Sequence, residues 1–136
     1  MTFIVDASVV GAWLLQDESS PSVDVLLDRF VIEGVGAPDL LTHEIRNVAV
    51  KSVQRGRVQR ADAEHLLQRF QQMRIRDAGP GDGRVIVGLA LRHKLTPYDA
   101  AYLALAKSEH LPLATLDKQL RAAARAESVP LLPERL

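Results

Sequence analysis

The chain has no cysteine, which excludes disulfide scaffolds and thiolate metal sites. Aromatic residues make up only 4 % of it, so its core must be built from Val, Leu, Ile and Ala. It has no net charge, with 17 basic residues against 17 acidic ones. A neutral chain lacks the bulk electrostatic footprint of a strongly basic nucleic-acid binder. No apolar run approaches the roughly 18 residues of a membrane span. The opening Met1-Thr2-Phe3-Ile4-Val5-Asp6 also lacks the basic stretch of a secretion signal. A soluble, cytoplasmic protein with no membrane partner is expected. Internal repeats, low-complexity tracts and linkers are likewise missing.

What is present is ordinary in amount and particular in arrangement. A length of 136 residues fits a single domain, 1–136. A chain of this size buries roughly two-thirds of its unfolded surface. Arg outnumbers Lys thirteen to four. Arg suits phosphate and carboxylate forks, although a coding bias would give the same excess.

Phe3-Ile4-Val5 reads as a buried strand ending at Asp6, with a helix after it that Ser8 would cap. Pro21 stands where a first-turn proline belongs, and Val23, Leu26, Leu27 and Phe30 follow at helical spacing. Gly34-Val35-Gly36-Ala37-Pro38 is a turn into a short extended piece. A helix over about 39–55, closed by Gly56, and a second one marked by Leu66, Leu67, Phe70 and Met73 form a helical hairpin. Residues 57–60 connect the two. Ile75 lies in a short candidate strand, and Gly79-Pro80-Gly81-Asp82-Gly83 is a loop. Helices are predicted over 85–92, from Thr96-Pro97 onward, and over 117–126. Strands are predicted over 111–115 and 129–132. This alternation implies a parallel sheet with helices on both faces.

Four carboxylates stand out. Asp6 and Asp117 each follow a strand, and ligands in open α/β sheets bind outside the carboxyl ends of strands. Each is equally explained as a helix cap. Glu44 lies four residues from Leu40 and from Val48, on a face where a carboxylate is costly unless paired or metal-bound. A solvent-facing edge or a nearby Arg would also account for it. Asp99 closes Thr96-Pro97-Tyr98-Asp99, a capping-box pattern, yet it also shares a face with Tyr102 and Leu103. Thr115, two residues before Asp117, could add a hydroxyl. Four carboxylates on one rim would repel, and a divalent cation is the usual remedy. Oxygen donors select magnesium, or manganese as its substitute, over zinc. A pair of such ions about 3.5–4 Å apart activates water and stabilises the leaving oxygen in phosphodiester cleavage.

Other constellations fail. His43-Glu44-Ile45-Arg46-Asn47 misses the zinc-protease pattern because position 47 is Asn. His65, His93 and His110 are scattered and read as solvated. The glycine-rich segment at 79–84 lacks the Lys-Ser/Thr ending of a phosphate loop and reads as a tight turn. No Ser sits in a Gly-x-Ser-x-Gly elbow, and Trp13 reads as core. A receiver-type signalling domain would need a second acid beside Asp6, which the chain lacks.

Together these segments resemble a known family. Ile4-Val5-Asp6-Ala7-Ser8 resembles the opening of the PIN-domain nucleases, and the run from Thr96 through Ala106 resembles their acidic helix. Leu113-Ala114-Thr115-Leu116-Asp117 resembles the strand that follows it, and Glu44 stands where the family has its helical Glu. Length and context are most similar to the VapC toxins of type II toxin–antitoxin pairs. The resemblance implies a three-layer α/β/α fold with a central, mostly parallel sheet and an α-helical hairpin. It implies a magnesium-dependent endoribonuclease whose catalytic, metal-holding carboxylates are Asp6, Glu44, Asp99 and Asp117, with Asp6 and Asp99 the direct ligands. Thr115 would support the site, and Arg46 and Arg84 would bind flanking phosphates of the substrate. A homodimer and a VapB-like antitoxin that occupies the acidic groove are implied as well. The alternative is a non-catalytic PIN-like module that binds protein or RNA, although such modules typically lose the acids kept here.

Overall fold

The computed structural model describes residues 1–15, 18 and 20–136. In chain order the elements are β1 (Ile4–Val5), α1 (Ala7–Leu14), α2 (Pro21–Glu33), β2 (Gly36–Ala37), α3 (Leu40–Gln54) and α4 (Arg60–Gln72). They continue with β3 (Arg76–Asp77), α5 (Gly83–His93), α6 (Pro97–Glu109), β4 (Leu113–Ala114), α7 (Lys118–Ala126) and β5 (Leu131–Leu132). The strands form one sheet in the order β3-β2-β1-β4-β5, with every pair parallel. In register, Ile4 lies beside Gly36 on one side and Leu113 on the other, and Val5 lies beside Ala114.

This order follows from burial. Phe3, Ile4 and Val5 are fully buried, so β1 needs cover on both faces and takes the centre of the sheet. α6 has Ala100, Ala101, Tyr102, Leu103 and Ala104 buried in succession, and it packs on β1, on β4 and on α5. The small alanines let it lie close to the sheet. On the other flank Trp13 of α1 stacks on Phe30 of α2, with ring centroids 5.5 Å apart. Its indole N–H donates to the Val23 carbonyl at 2.9 Å, so the one buried indole donor is satisfied. The helical hairpin of α3 and α4 is present as the spacing predicted. Among the described residues no helix is long and apolar enough to cross a membrane.

Several sequence expectations are corrected. Asp6, not Ser8, is the N-cap of α1: its carboxylate accepts from the Val9 amide at 3.2 Å, and Ser8 is already inside the helix. β3 is Arg76–Asp77, one residue beyond Ile75, and β4 and β5 are shorter than their apolar runs. Side chains flanking a two-residue ladder can be apolar without pairing, so hydrophobicity overestimates strand length. His93 is not solvated. It lies against Glu127, which also binds Arg92 and Lys107.

The strand order fixes where a site can form. From β1 the chain builds β2 and β3 to one side, then crosses to build β4 and β5 on the other. The connections leave β1 and β4 in opposite directions, which opens a crevice at their carboxyl ends. Asp6 follows β1, and Thr115 and Asp117 follow β4.

Candidate active site

Asp6 is 5 % exposed and makes all its polar contacts inside the protein. One carboxylate oxygen accepts from the Ser8 hydroxyl at 2.6 Å and from the Val9 amide, and the other accepts from the Thr115 hydroxyl at 2.5 Å. The Ser8 hydroxyl in turn accepts from the Leu116 amide at 2.9 Å, and the Thr115 hydroxyl accepts from the Asp117 amide at 3.1 Å. The ends of β1 and β4 are thus stitched through one carboxylate. Burial still dominates its electrostatics, pushing the Asp6 pKa up to about 6 despite these donors.

The other three acids converge on the same crevice from three helices. Glu44 projects from α3 and accepts from the Tyr102 hydroxyl of α6 at 2.5 Å. Asp99 lies in the first turn of α6, which Thr96 caps by accepting from the Asp99 amide at 3.1 Å. Half of the expected capping box is therefore present, and it uses the backbone of Asp99. Asp117 caps α7 by accepting from the Leu120 amide at 2.8 Å.

Asp99 is the electrostatic centre of the four. Its charge raises both Asp6 and Glu44, after burial has done so. Burial and then the charge of Asp117 raise Asp99 itself. Tyr102 is held far above the ordinary tyrosine range by burial and by Glu44, with Asp6 and Asp99 adding to the effect. The phenol therefore stays protonated and remains a donor to Glu44.

The donor set suits a hard divalent cation, since it is all oxygen and burial makes the charged forms of Asp6, Glu44 and Asp99 costly. As the side chains lie, no group of three His, Cys, Asp or Glu is placed to hold a metal ion among the described residues. The acids are within electrostatic reach of one another without forming a closed ligand cage, as mutual repulsion favours.

The two arginines singled out in the sequence do not join this cluster. Arg46 is two residues from Glu44, about 200° round the helix. It lines a cavity of about 260 Å³ with Leu67, Phe70 and Arg74, between α3 and α4. Arg84 is exposed in the first turn of α5, where its amide donates to Asp82. Three residues at the site have roles that local sequence does not disclose. Ser8 reads there as a cap and Tyr102 as an apolar position. Arg121 is almost fully buried, and its guanidinium donates to the Thr115 carbonyl at 2.8 Å and to the Pro133 carbonyl at 2.6 Å. It braces the turn that carries Thr115 and Asp117 against the C-terminal tail.

Fold and site together define an α/β/α protein with an acidic crevice at the switch point of a parallel sheet. The chain belongs to the PIN-domain family: the PIN domain profile matches residues 3–126. It is 30 % identical over 136 residues to Ribonuclease VapC3 of Pyrobaculum aerophilum, covering 97 % of this chain and 98 % of that protein. It is 29 % identical over 129 residues to Ribonuclease VapC9 of Mycobacterium tuberculosis, covering 91 % and 92 %. Among solved structures, PAE2754 from Pyrobaculum aerophilum superposes with a TM-score of 0.73 at 26 % identity, over 90 % of this chain and 79 % of that one. FitAcB from Neisseria gonorrhoeae shares the fold, with a TM-score of 0.69 at 19 % identity over 98 % and 99 %.

Proposed function

We propose that residues 1–136 form one VapC-like endoribonuclease toxin that hydrolyses RNA phosphodiester bonds and is neutralised by a cognate antitoxin protein. The observation that carries this reading is the placement of Asp6 and Asp117 at the carboxyl ends of β1 and β4, beside α6, which carries Asp99 and whose Tyr102 bonds Glu44. The names of the two ribonuclease relatives support it.

Asp6 and Asp99 would hold magnesium directly, Glu44 and Asp117 would complete the site, and manganese would substitute. The cation, when bound, would polarise the phosphodiester and favour deprotonation of the attacking water. The chain's own part is positional. Ser8 and Thr115 fix the Asp6 carboxylate from both sides, so it presents one geometry. The Tyr102 hydroxyl donates to one oxygen of Glu44, which fixes the carboxylate against α6. The Asp117 cap and the Arg121 brace hold the β4 end rigid against β1. A site built this way costs little reorganisation when substrate arrives.

Partners are part of the proposal. Val87 and Leu91 lie one turn apart on α5, both well exposed, and fit the face of a homodimer. A largely apolar cavity of about 280 Å³, lined by Trp13, Phe30, Val31 and Met73 among others, suits an apolar segment of an antitoxin. A cytoplasmic location accompanies this reading.

The test is cleavage of total cellular RNA by purified wild type, with magnesium and with chelator, beside Asp99→Asn and the Asp6→Asn Asp99→Asn pair. Wild type should cleave only with the metal, and both variants should fold and fail to cleave. Full activity in the folded double variant would refute the assignment. Absence of both cleavage and magnesium binding in wild type would instead support the non-catalytic module.

A further inference from the structure

Beside the acidic crevice lies a groove of about 210 Å³ between α1 and α3, which the site already described does not use. Its lining includes Ser8, Lys51, Arg55 and Arg57, with the small residues Ala7 and Gly11 on the α1 side. Three cations thus face one described acid in that lining, Glu18, which pairs with Arg57 at 2.8 Å. Lys51 and Arg55 make no ion pair among the described residues. They stand four residues apart on one face of α3, where like charges cost a few tenths of a kcal/mol.

Position gives this charge its meaning. Lys51 lies seven residues beyond Glu44, about 10 Å along the helix axis, and Arg55 about 16 Å. Ser8 joins the two regions, since it lines the groove while its hydroxyl donates to Asp6. On the other side of Glu44, the neighbouring cavity is lined by Leu40, His43, Glu44, Asn47 and Tyr98, with no Lys or Arg. Of the two cavities that flank Glu44 along α3, only the one at Lys51 and Arg55 is lined by cations. The favourable placement of cations at a helix C-terminus explains their presence in the last turns. It does not explain why both turn toward a groove that leads to the acids.

We propose that Lys51 and Arg55 form a phosphate track that holds the backbone of single-stranded RNA on one side of the cleavage point. This rests on the nuclease reading above and assigns its substrate contacts, in place of Arg46 and Arg84. The two cations are spaced about 6 Å along the axis, comparable with the phosphate repeat of an extended strand. Such contacts carry no sequence information and fix register and direction. They also reconcile a chain of zero net charge with an anionic substrate, because the attraction is local.

The test measures binding of a short mixed-sequence single-stranded RNA by fluorescence anisotropy, over a range of salt concentrations. The full chain carries Asp99→Asn so that the RNA survives. Adding Lys51→Gln with Arg55→Gln should reduce the slope of log affinity against log salt by about 1.4, that is about 0.7 for each phosphate no longer neutralised. The exchange Lys51→Arg with Arg55→Lys should keep the slope and controls for folding. An unchanged slope, or a weakening confined to particular RNA sequences, overturns the proposal. If the wild type cleaves RNA while the slope is unchanged, only the track fails. If the wild type neither cleaves nor binds RNA, the nuclease reading fails with it.

Discussion

Replacing Asp6 with Asn should stabilise the metal-free protein at neutral pH. In the folded chain Asp6 holds its proton up to about pH 6, against 3.8 for the free side chain. A shift of about two units corresponds to about 3 kcal/mol of folding free energy, at 1.36 kcal/mol for each unit. The sign follows from proton binding. Between about pH 4 and pH 6 the native state holds a proton that the unfolded chain has lost, so stability falls as pH rises through that window. Glu44 and Asp99, both raised, act in the same direction. Asn keeps the cap, since it serves at that position as well as Asp. The Thr115 hydroxyl can rotate to accept from the new amide. The expected gain is up to about 3 kcal/mol, or on the order of 10 °C in melting temperature for a domain of this size. Thermal and urea melts in chelator across the acid to neutral range measure it. The two proteins should converge below about pH 4, where Asp6 is protonated in both states. Magnesium should then raise the wild type and leave Asp6→Asn nearly unmoved, because only a ligand bound to the native state shifts the transition. A variant that melts below wild type at neutral pH without metal, with no convergence in acid, would refute the claim that burial penalises this carboxylate.

Two further outcomes are expected. Tyr102→Phe removes the donor that lowers Glu44. Cleavage should fall about tenfold, equivalent to about 1.4 kcal/mol, and the acidic limb of the pH–rate profile should move upward. An unmoved limb would show that Tyr102 is only packing. Leu91→Glu places a charge on a side chain that is 78 % exposed, so the monomer should fold normally while a homodimer dissociates. Sedimentation reads the result, and a wild type that is already monomeric would sink the α5 interface.

The sequence carried the site further than any one residue deserved. Asp6 and Asp117 are legible as candidates because a strand-to-helix junction leaves a signature of apolar run, acid and helix. Glu44 is legible as one because a carboxylate interrupts an apolar face. Asp99 reads as a cap in the sequence, and in the structure its backbone amide takes that role while its charge raises Asp6 and Glu44. The rest depended on distance. Arg121 pairs with carbonyls of the β4 turn and of the C-terminal tail, which no local pattern discloses. Glu127 gathers Arg92, His93 and Lys107 from two other helices, and its side chain is 8 % exposed. Those three donors hold it near pKa 2, whereas periodicity treats each as an ordinary surface charge. The strand ends were misjudged for a related reason: pairing in a two-residue ladder is decided by the neighbouring strand and not by the hydrophobicity of the segment itself.

The bond from Thr115 to Asp6 joins residues 109 apart in sequence, across the two central strands. Forming it closes a long loop and adds to the non-local pairing that slows folding. During synthesis the first strand leaves the ribosome with its aspartate long before the strand that completes the crevice exists. An incomplete or truncated chain therefore carries Asp6 and Glu44 without the partners that give them a defined geometry. In the proposed nuclease, that order would leave the crevice incomplete until translation is nearly finished.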